Sequence, residues 1–374
     1  MIGFGWWFAY WWVILVEAVA LLMVMGAVSV VAPRFVGSEP KNLGRLKASM
    51  WVTLILILVS YVGIFYGLGL LASSKTGWAG LQGLFLGAVV IVVVFSILQW
   101  LFSPFIINLV YRARPPSTRR EFDIQRRLEE LARRAGMRRI PKLRVVDTMM
   151  PNAFAYGSPI AGSYVAVTTG LLRIADDEEV EAVLGHELGH HKHRDVAWIL
   201  ALSIIPLAIY YLGRSLIYAS FFSGQTSSRR RDEGGSGYLL LIGIGLVVLG
   251  FIFKLLVAHY NRLREYYADA YSTLTFAKGR QLQRALTKIY LRIREAPTTK
   301  GAGSMSLAST LFIVAPLVEV NGGFLVDTSV DPLVEAVKRE KVNPVVEVFS
   351  THPPVPKRLK FIDNLLRWGP IERG

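Results

Sequence analysis

The sequence predicts an α-helical membrane protein with about five transmembrane helices and a smaller α+β domain outside the bilayer. Hydrophobic residues make up 53% of the 374 residues and charged residues only 18%, which is too apolar for an ordinary soluble domain. The mean hydropathy of +0.41 agrees with this. Five apolar stretches reach the roughly 20 helical residues that cross a bilayer. They run approximately over Phe4–Ala32, Trp51–Leu71, Leu81–Val110, Val196–Phe222 and Tyr238–Ala258.

The net charge of +15 and the absence of cysteine narrow the class of protein further. Basic segments beside apolar spans are typical of cytoplasmic flanks that face anionic lipid. A nucleic-acid partner is the rival explanation of the charge, but the chain contains no DNA- or RNA-binding motif, so we expect none. Because there is no cysteine, disulfides and thiolate metal ligands are excluded.

The placement of lysine and arginine predicts the orientation of the spans. The loop 33–50 holds four basic residues, and the segment that begins at Arg112 is also arginine-rich, whereas the loop around Lys75 carries one basic residue. We therefore expect a multi-pass protein of the cell membrane, with an external N-terminus and with residues 112–194 facing the cytoplasm. The basic residues Arg229–Arg231, in the loop between the last two spans, conflict with this orientation. Either this short loop is translocated despite its charge, or the last two spans do not fully cross.

The expected domains are a transmembrane region at 1–111, a first soluble part at 112–195, a transmembrane hairpin at 196–258 and a second soluble part at 259–374. The elements predicted in the soluble parts follow from local signals. A capping box starts one helix, an N-cap in front of an acidic first turn starts another, two short runs resemble strands, and one short apolar run resembles buried core. The capping box is formed by Thr118 and Glu121, with a helix that continues to Arg134, and the N-cap is Asp176. The two strand-like runs are Lys142–Val146 and Ser163–Thr168, and the apolar run is Leu311–Val318.

One predicted helix carries the pattern H-E-x-x-H, with His186, Glu187 and His190. Residues four apart lie on one face of a helix, so the two imidazoles can bind one Zn²⁺ while Glu187 points toward the metal-bound water. The pattern also occurs by chance, and the alternative is two surface histidines on a charged helix.

A third metal ligand must come from elsewhere in the chain. Glu265 and Asp269 share a helix face, so that one can bind the metal while the other accepts a hydrogen bond from a ligand histidine. We expect Glu265 to be the ligand and Asp269 its supporting carboxylate. Alternatively, Glu265 is a solvated acid that pairs with Arg262 or Arg264. A metzincin-type third histidine is disfavoured, because Val196 occupies its position.

With these motifs in place, the chain resembles the HtpX-type membrane zinc metalloproteases, which belong to the gluzincin group and are relatives of the CaaX prenyl protease. The resemblance covers most of the chain. It includes the N-terminal spans, H-E-x-x-H, a membrane hairpin and the later R-x-x-E-x-x-A-D segment. A third N-terminal span is a departure, since these proteins commonly have two. Two further segments match the family: Asn152-Ala153-Phe154, and His352 with Arg358.

The resemblance implies a gluzincin-like α+β zinc protease domain that hydrolyses peptide bonds, with membrane proteins or peptides as substrates and a role in quality control. It implies that Glu187 is the general base, that His352 stabilises the oxyanion with Arg358 orienting it, and that Asn152, Ala153 and Phe154 lie along the substrate. Alternatively, His352 is only a loop histidine before a Pro-Pro turn.

Two other classes of protein stay open on the sequence. An intramembrane metalloprotease would place H-E-x-x-H inside a span, but charges on both sides of the motif disfavour this. A membrane transporter or scaffold with a structural zinc would not need Glu187. Among the other ionisable residues, His191 is expected at the surface, His193 near the metal or at the surface, and Glu17 at the membrane interface.

Overall fold

Four long helices of the computed structural model are apolar enough to cross a membrane. The structure describes residues 39–73, 79–193, 195–222, 235–295 and 330–368, and within 11–30 all except 13, 17, 20, 21, 24 and 29. The four helices are α1 (Leu43–Ser73), α2 (Ala79–Val110), α6 (Asp195–Phe222) and α7 (Gly235–Thr275). Their candidate spans are Leu43–Gly63, Val89–Val110, Trp198–Phe221 and Gly237–Thr275, all within the described residues.

Four of the five predicted spans are thereby confirmed as helices. Part of the predicted first span, including Glu17, and all of the predicted core run Leu311–Val318 lie outside the described residues. The largest difference in extent is at α7, which continues 17 residues beyond Ala258 to Thr275. The same continuous helix therefore carries both the predicted fifth span and the predicted Glu265 ligand.

The chain divides into two compact units. One consists of Met1–Phe35, Thr53–Ile97 and Ile199–Val257, and the other of Val36–Val52, Leu98–Trp198 and Ala258–Gly374. Inside the first unit, the Tyr61 hydroxyl donates a hydrogen bond of 2.6 Å to the Leu202 carbonyl. The Tyr61 ring also packs edge-on against Phe253, with 5.4 Å between the ring centroids.

The second unit contains a three-stranded sheet with the order β1-β3-β2. Strand β3 (Gly162–Thr168) lies in the centre, parallel to β1 (Lys142–Val146) and antiparallel to β2 (Ala153–Ser158). Strand β2 is therefore an edge strand. The helices of this unit are α3 (Arg119–Arg134), α4 (Thr169–Ile174), α5 (Asp177–His193), α8 (Gly279–Glu295), α9 (Val330–Lys338), α10 (Pro344–Phe349) and α11 (Val355–Trp368).

The helix-start signals in the sequence act as predicted. Thr118 and Glu121 form a reciprocal capping box at the start of α3. Asp176 accepts a hydrogen bond from the Glu179 amide at 2.8 Å, and the Glu179 carboxylate accepts one from the Asp176 amide at 2.9 Å. The acidic first turn of α5 also suits the positive end of the helix dipole. Helix α5 therefore starts at a fixed position, which sets where its two histidines lie.

The main core of the second unit lies between one face of the sheet and the helices α3, α5, α8, α9 and α11. Helix α5 is central to it, because Val180, Val183, Leu184 and Leu188 are fully buried. A second cluster on the other face of the sheet joins Phe154, Tyr156 and Ala166 to Ile107 and Tyr111 at the end of α2.

Candidate metal centre

Two imidazoles of α5 meet at the predicted site. His186 and His190 lie one turn apart, and their Nε2 atoms are 3.2 Å from each other. His186 is 1% exposed, and the His190 side chain is 16% exposed. The two surface histidines of the alternative interpretation are therefore absent, since both rings point into the protein.

Helix α7 approaches α5 closely because two glycines face it. A Cβ atom on Gly189 would lie 3.2 Å from the Ala268 Cα, and one on Gly185 would lie 3.0 Å from the Ser272 hydroxyl oxygen. The Ser272 hydroxyl in turn donates a 2.7 Å hydrogen bond to the Ala182 carbonyl. The two glycines, each directly before one of the two histidines, thus allow the carboxylates of α7 to reach the imidazoles of α5.

Glu265 of α7 completes a cluster of three possible metal ligands with His186 and His190. Its Oε2 lies 3.6 Å from the His186 Nε2, and its Oε1 lies 3.4 Å from the His190 Nε2. Donor atoms of a tetrahedral zinc site, with bonds of about 2.0–2.1 Å, are separated by about 3.3 Å. The buried Oε2 of Glu265 has no hydrogen-bond partner among the described residues. A divalent cation fits this donor set, because it would satisfy that oxygen.

Asp269, one turn after Glu265, holds the other side of His186. Its Oδ1 lies 3.0 Å from the His186 Nδ1, and Asp269 is fully buried. Because Nδ1 is committed to this carboxylate, the lone pair of Nε2 is directed at the cluster. Arg358 of α11 binds the same carboxylate through Nε at 2.8 Å and Nη2 at 2.6 Å.

Glu187 lies beside the cluster and against the edge of the sheet. It is 3% exposed and accepts a hydrogen bond from the Ala155 backbone amide. Burial raises the pKa of its carboxyl above the usual range, and the neighbouring His186 and His190 oppose this shift. The carboxylate is thus placed between the ligand histidines and β2.

His352 is also buried at the cluster. Its Nε2 lies 3.7 Å from the Glu265 Oε1. Burial lowers the pKa of His352, so its ring is neutral at pH 7 and keeps one N–H donor. The loop that carries it is held by Arg262 of α7, whose Nη1 donates to the carbonyls of Ser350 at 2.6 Å and Val348 at 3.1 Å.

The backbone of β2 turns alternate residues toward β3 and toward the outer edge of the sheet. The Thr168 amide donates to the Asn152 carbonyl at 3.0 Å, so Asn152 faces β3. Because backbone groups alternate along an antiparallel pair, the amides and carbonyls of Phe154 and Tyr156 also face β3. Those of Ala153 and Ala155 point away from β3. Of the three predicted substrate-binding residues, Ala153 turns its backbone amide and carbonyl away from β3 and is itself 1% exposed, whereas Asn152 and Phe154 use theirs within the sheet.

Some residues around the site differ from the sequence expectations. His191 is half-buried, its Nε2 lies 2.8 Å from the Tyr164 carbonyl oxygen, and burial lowers its pKa to about 4, so the expected surface position is wrong. His193 is half-buried against the rings of Tyr267 and Tyr271. Arg262 binds loop carbonyls, a role that the sequence analysis missed.

Comparison with known proteins identifies the family. Residues 118–366 match the family model for peptidase family M48. The chain is 48% identical over 327 residues to a protein named Protease HtpX homolog from Aeropyrum pernix, covering 86% of this chain and 99% of that protein. It is 38% identical to a protein of the same name from Pyrobaculum calidifontis, covering 90% and 92%. The crystal structure of S. mikatae Ste24p is similar to 84% of this chain and 67% of that chain, with a TM-score of 0.48 and 20% identity.

The family match covers the capping box of α3, both ligand motifs and most of α11, and thus the whole cluster of possible ligands. The curated relatives are matched over nearly their full length. The chain therefore belongs to peptidase family M48 and is an HtpX-like metalloprotease with membrane-spanning helices.

Proposed function

We propose that the chain is a zinc-dependent endopeptidase that cleaves membrane proteins or peptides at the cytoplasmic surface of the cell membrane, in membrane-protein quality control. The observation that carries this proposal is the meeting of His186, His190 and Glu265 beside the buried carboxylate of Glu187. Three protein ligands leave the fourth position of a zinc ion open, which is typical of catalytic sites and not of structural ones.

The proposed metal ligands are His186, His190 and Glu265. A zinc ion held there would supply Lewis-acid chemistry, which polarises the scissile carbonyl and acidifies water. Glu187 acts as the general base: it accepts a proton from the attacking water and delivers it to the leaving amine. Its hydrogen bond from the Ala155 amide holds the carboxylate between the histidines and the edge strand.

His352 and Arg358 have different proposed roles. The neutral N–H of His352 donates to the oxyanion that develops on the scissile carbonyl, an interaction that is strongest in the transition state. Its position 3.7 Å from Glu265 supports this. Arg358 acts through Asp269 and does not touch the substrate, because it is fully buried behind that carboxylate.

The substrate is proposed to bind as an added strand on the outer edge of β2, next to Asn152, Ala153 and Phe154. The outward amide and carbonyl of Ala153 supply its backbone hydrogen bonds. Because the Ala155 amide already binds Glu187, a peptide paired with Ala153 runs directly past the general base. Backbone pairing requires an extended segment, so unfolded stretches of a membrane protein are suitable substrates.

The proposed cytoplasmic location follows from charge. Basic residues are concentrated in 33–50 and from Arg112 onward, and such segments stay on the cytoplasmic side. The role in quality control is implied by the resemblance to HtpX-type proteases. Pairing with a strand edge supports it, because such an edge recognises unfolded backbone without a specific sequence.

The experiment that tests the proposal uses the full chain in proteoliposomes, with an unfolded membrane protein as substrate. We compare the unaltered protein with Glu187→Gln and Glu265→Ala, and measure internal cleavage fragments and bound zinc. Glu187→Gln should retain zinc and lose activity by about 10²–10⁴-fold, and Glu265→Ala should lose both. The matched control is Glu178→Gln, which removes an exposed glutamate of the same helix. Cleavage that survives in Glu187→Gln would leave a structural zinc site as the better interpretation.

A further inference from the structure

The β2–β3 hairpin runs along the last ten residues of α2. Its strand β2 follows that helix in the opposite direction, and three contacts fix the alignment between them. The Phe154 and Tyr111 rings have centroids 5.8 Å apart, the Tyr156 hydroxyl donates to the Asn108 Oδ1 at 2.6 Å, and the Ser158 hydroxyl donates to the Leu101 carbonyl at 2.9 Å. The tip of the hairpin is therefore level with Leu101.

This level lies well inside a candidate membrane span. Leu101 is nine residues before Val110, the last residue of the span Val89–Val110, which corresponds to about 13 Å along a helix. The span contains no charged residue. From the level of the tip to the Val110 end, α2 exposes large apolar side chains: Phe102 is 51% exposed, Phe105 54% and Leu109 79%. Apolar surface of this size on a span is covered by lipid.

The tip itself has a composition that a bilayer accepts. Its residues are Ser158-Pro159-Ile160-Ala161-Gly162, without a charge, and Ile160 is 57% exposed. Polar groups in lipid must be satisfied within the protein. The Ser158 oxygen, besides donating to α2, accepts a hydrogen bond from the Ala161 amide at 3.2 Å, and the Tyr164 hydroxyl donates to the Ala161 carbonyl at 2.9 Å.

Cations surround this end of the sheet. Strand β1 starts beside the tip, because Lys142 pairs with Tyr164 in the parallel register. The exposed residues Arg138, Arg139 and Lys142 therefore lie at the same end. An apolar tip bordered by lysine and arginine fits a membrane surface with anionic head groups, which attract such cations.

We propose that the hairpin tip, residues 158–162, inserts into the membrane interface beside α2, with Arg138, Arg139 and Lys142 on anionic lipid head groups. The tip, level with Leu101, is then the deepest part of the hairpin, and the last ten residues of α2 run from that depth toward the water beside the hairpin. The outer edge of β2 then runs from the bilayer toward the water. If the proposed function holds, this edge receives peptide segments as they leave the membrane.

The test uses the absence of cysteine from the chain. A single spin label is attached to Ile160→Cys in the full chain, reconstituted in vesicles that contain anionic phospholipid, and its collisions with oxygen and with a water-soluble nickel complex are measured. The matched control is Met149→Cys, because Met149 is 58% exposed and follows the opposite end of β1. We expect the label at 160 to be protected from nickel and accessible to oxygen, and the label at 149 to show the reverse.

Equal access of nickel to both labels would overturn the proposal, because the end of α2 would then protrude into water. If Ile160→Cys does not fold, Ala161→Cys carries the label instead. This readout needs no protease activity, so it is independent of the proposed function.

A second arm measures activity: Ile160→Asp should reduce cleavage of a membrane-embedded substrate and leave cleavage of a soluble unfolded polypeptide unchanged. Equal reductions for both substrates would contradict a membrane role of the tip.

Discussion

Arg358 and Asp269 form a doubly hydrogen-bonded ion pair in which both side chains are fully excluded from solvent. The guanidinium donates from Nε at 2.8 Å and from Nη2 at 2.6 Å, and the same carboxylate lies 3.0 Å from the His186 Nδ1. A buried carboxylate is costly unless it is paired and hydrogen-bonded. The pairing with Arg358 therefore keeps Asp269 ionised where it orients the imidazole.

Replacing Asp269 with asparagine should weaken metal binding without removing a metal ligand. Losing a carboxylate that orients a ligand histidine typically costs 10–100-fold in metal affinity. We expect the zinc dissociation constant of Asp269→Asn to rise by that factor, as measured by competition with a chromophoric chelator. Asp331→Asn is the matched control, because Asp331 forms an exposed pair with Arg284. Unchanged zinc affinity in Asp269→Asn would show that the carboxylate does not support the site.

Arg262 should act on catalysis through the position of His352. It holds the Ser350 carbonyl, and the Ser350 hydroxyl donates to the His352 carbonyl at 2.7 Å and accepts from its amide at 3.1 Å. Loss of an oxyanion donor costs about 10²–10³-fold in kcat, so His352→Ala should lose that much. Arg262→Ala should lower kcat with little change in KM, and should lower it no further when His352 is already alanine.

The comparison is a double-mutant cycle on kcat, with zinc content and Tm recorded for each variant. Arg284→Ala, which removes an exposed arginine of α8, is the control and should keep the activity of the unaltered protein. Independent, multiplicative losses in the double variant would show that Arg262 does not work through His352. Arg262→Lys should restore part of kcat, because an ammonium can still donate to the Ser350 carbonyl.

How much of this site could be predicted depends on the distance over which each signal acts. The helical spacing of His186 and His190, and the spacing of Glu265 and Asp269, are local patterns that follow from 3.6 residues per turn. The capping boxes of α3 and α5 are local in the same way. The structure brings the two predicted ligand helices together, with the donor atoms at separations suited to one metal ion.

The contacts that the sequence did not predict join distant segments. Arg262 and Ser350 are 88 residues apart, and Leu101 and Ser158 are 57 apart, so no periodicity relates them. The glycines at 185 and 189 are a weak local signal of close helix packing, but they do not identify α7 as the partner. His191 was expected at the surface because helical spacing turns it away from the ligands, and the sheet covers that face.

Tyr61→Phe should destabilise the membrane unit by a small amount. Pro206 has no N–H, so the carbonyl of Leu202, four residues earlier, lacks its helical hydrogen bond, and the Tyr61 hydroxyl replaces it at 2.6 Å. Hydrogen bonds between membrane helices contribute about 0.6 kcal/mol on average and up to about 1.7. We expect a loss in this range in detergent unfolding. Ser60→Ala is the control, because Ser60 binds a carbonyl of its own helix. An equal loss in both variants would contradict the role of Tyr61.

Acid should destabilise the protein through Glu121 in a defined pH window. Arg114 donates to both oxygens of Glu121 at 2.9 Å, and this pair, with the amides of Ser117 and Thr118, lowers the pKa of Glu121 from 4.5 to about 2 against the effect of burial. A lowered folded-state pKa stabilises the protein fully above pH 4.5. That stabilisation is lost as the pH falls toward about 2.

Glu121→Gln should remove this part of the pH dependence. The variant should have a lower Tm than the unaltered protein at pH 7, because hydrogen bonds to charged groups contribute about 1.5–3 kcal/mol, and the difference should shrink between pH 4.5 and 2. Asp123→Asn, which removes a more exposed carboxylate of the same helix, is the control and should leave the difference near zero throughout. A Tm difference that stays constant across this range would mean that Glu121 stabilises α3 by packing, and that its ionisation contributes nothing.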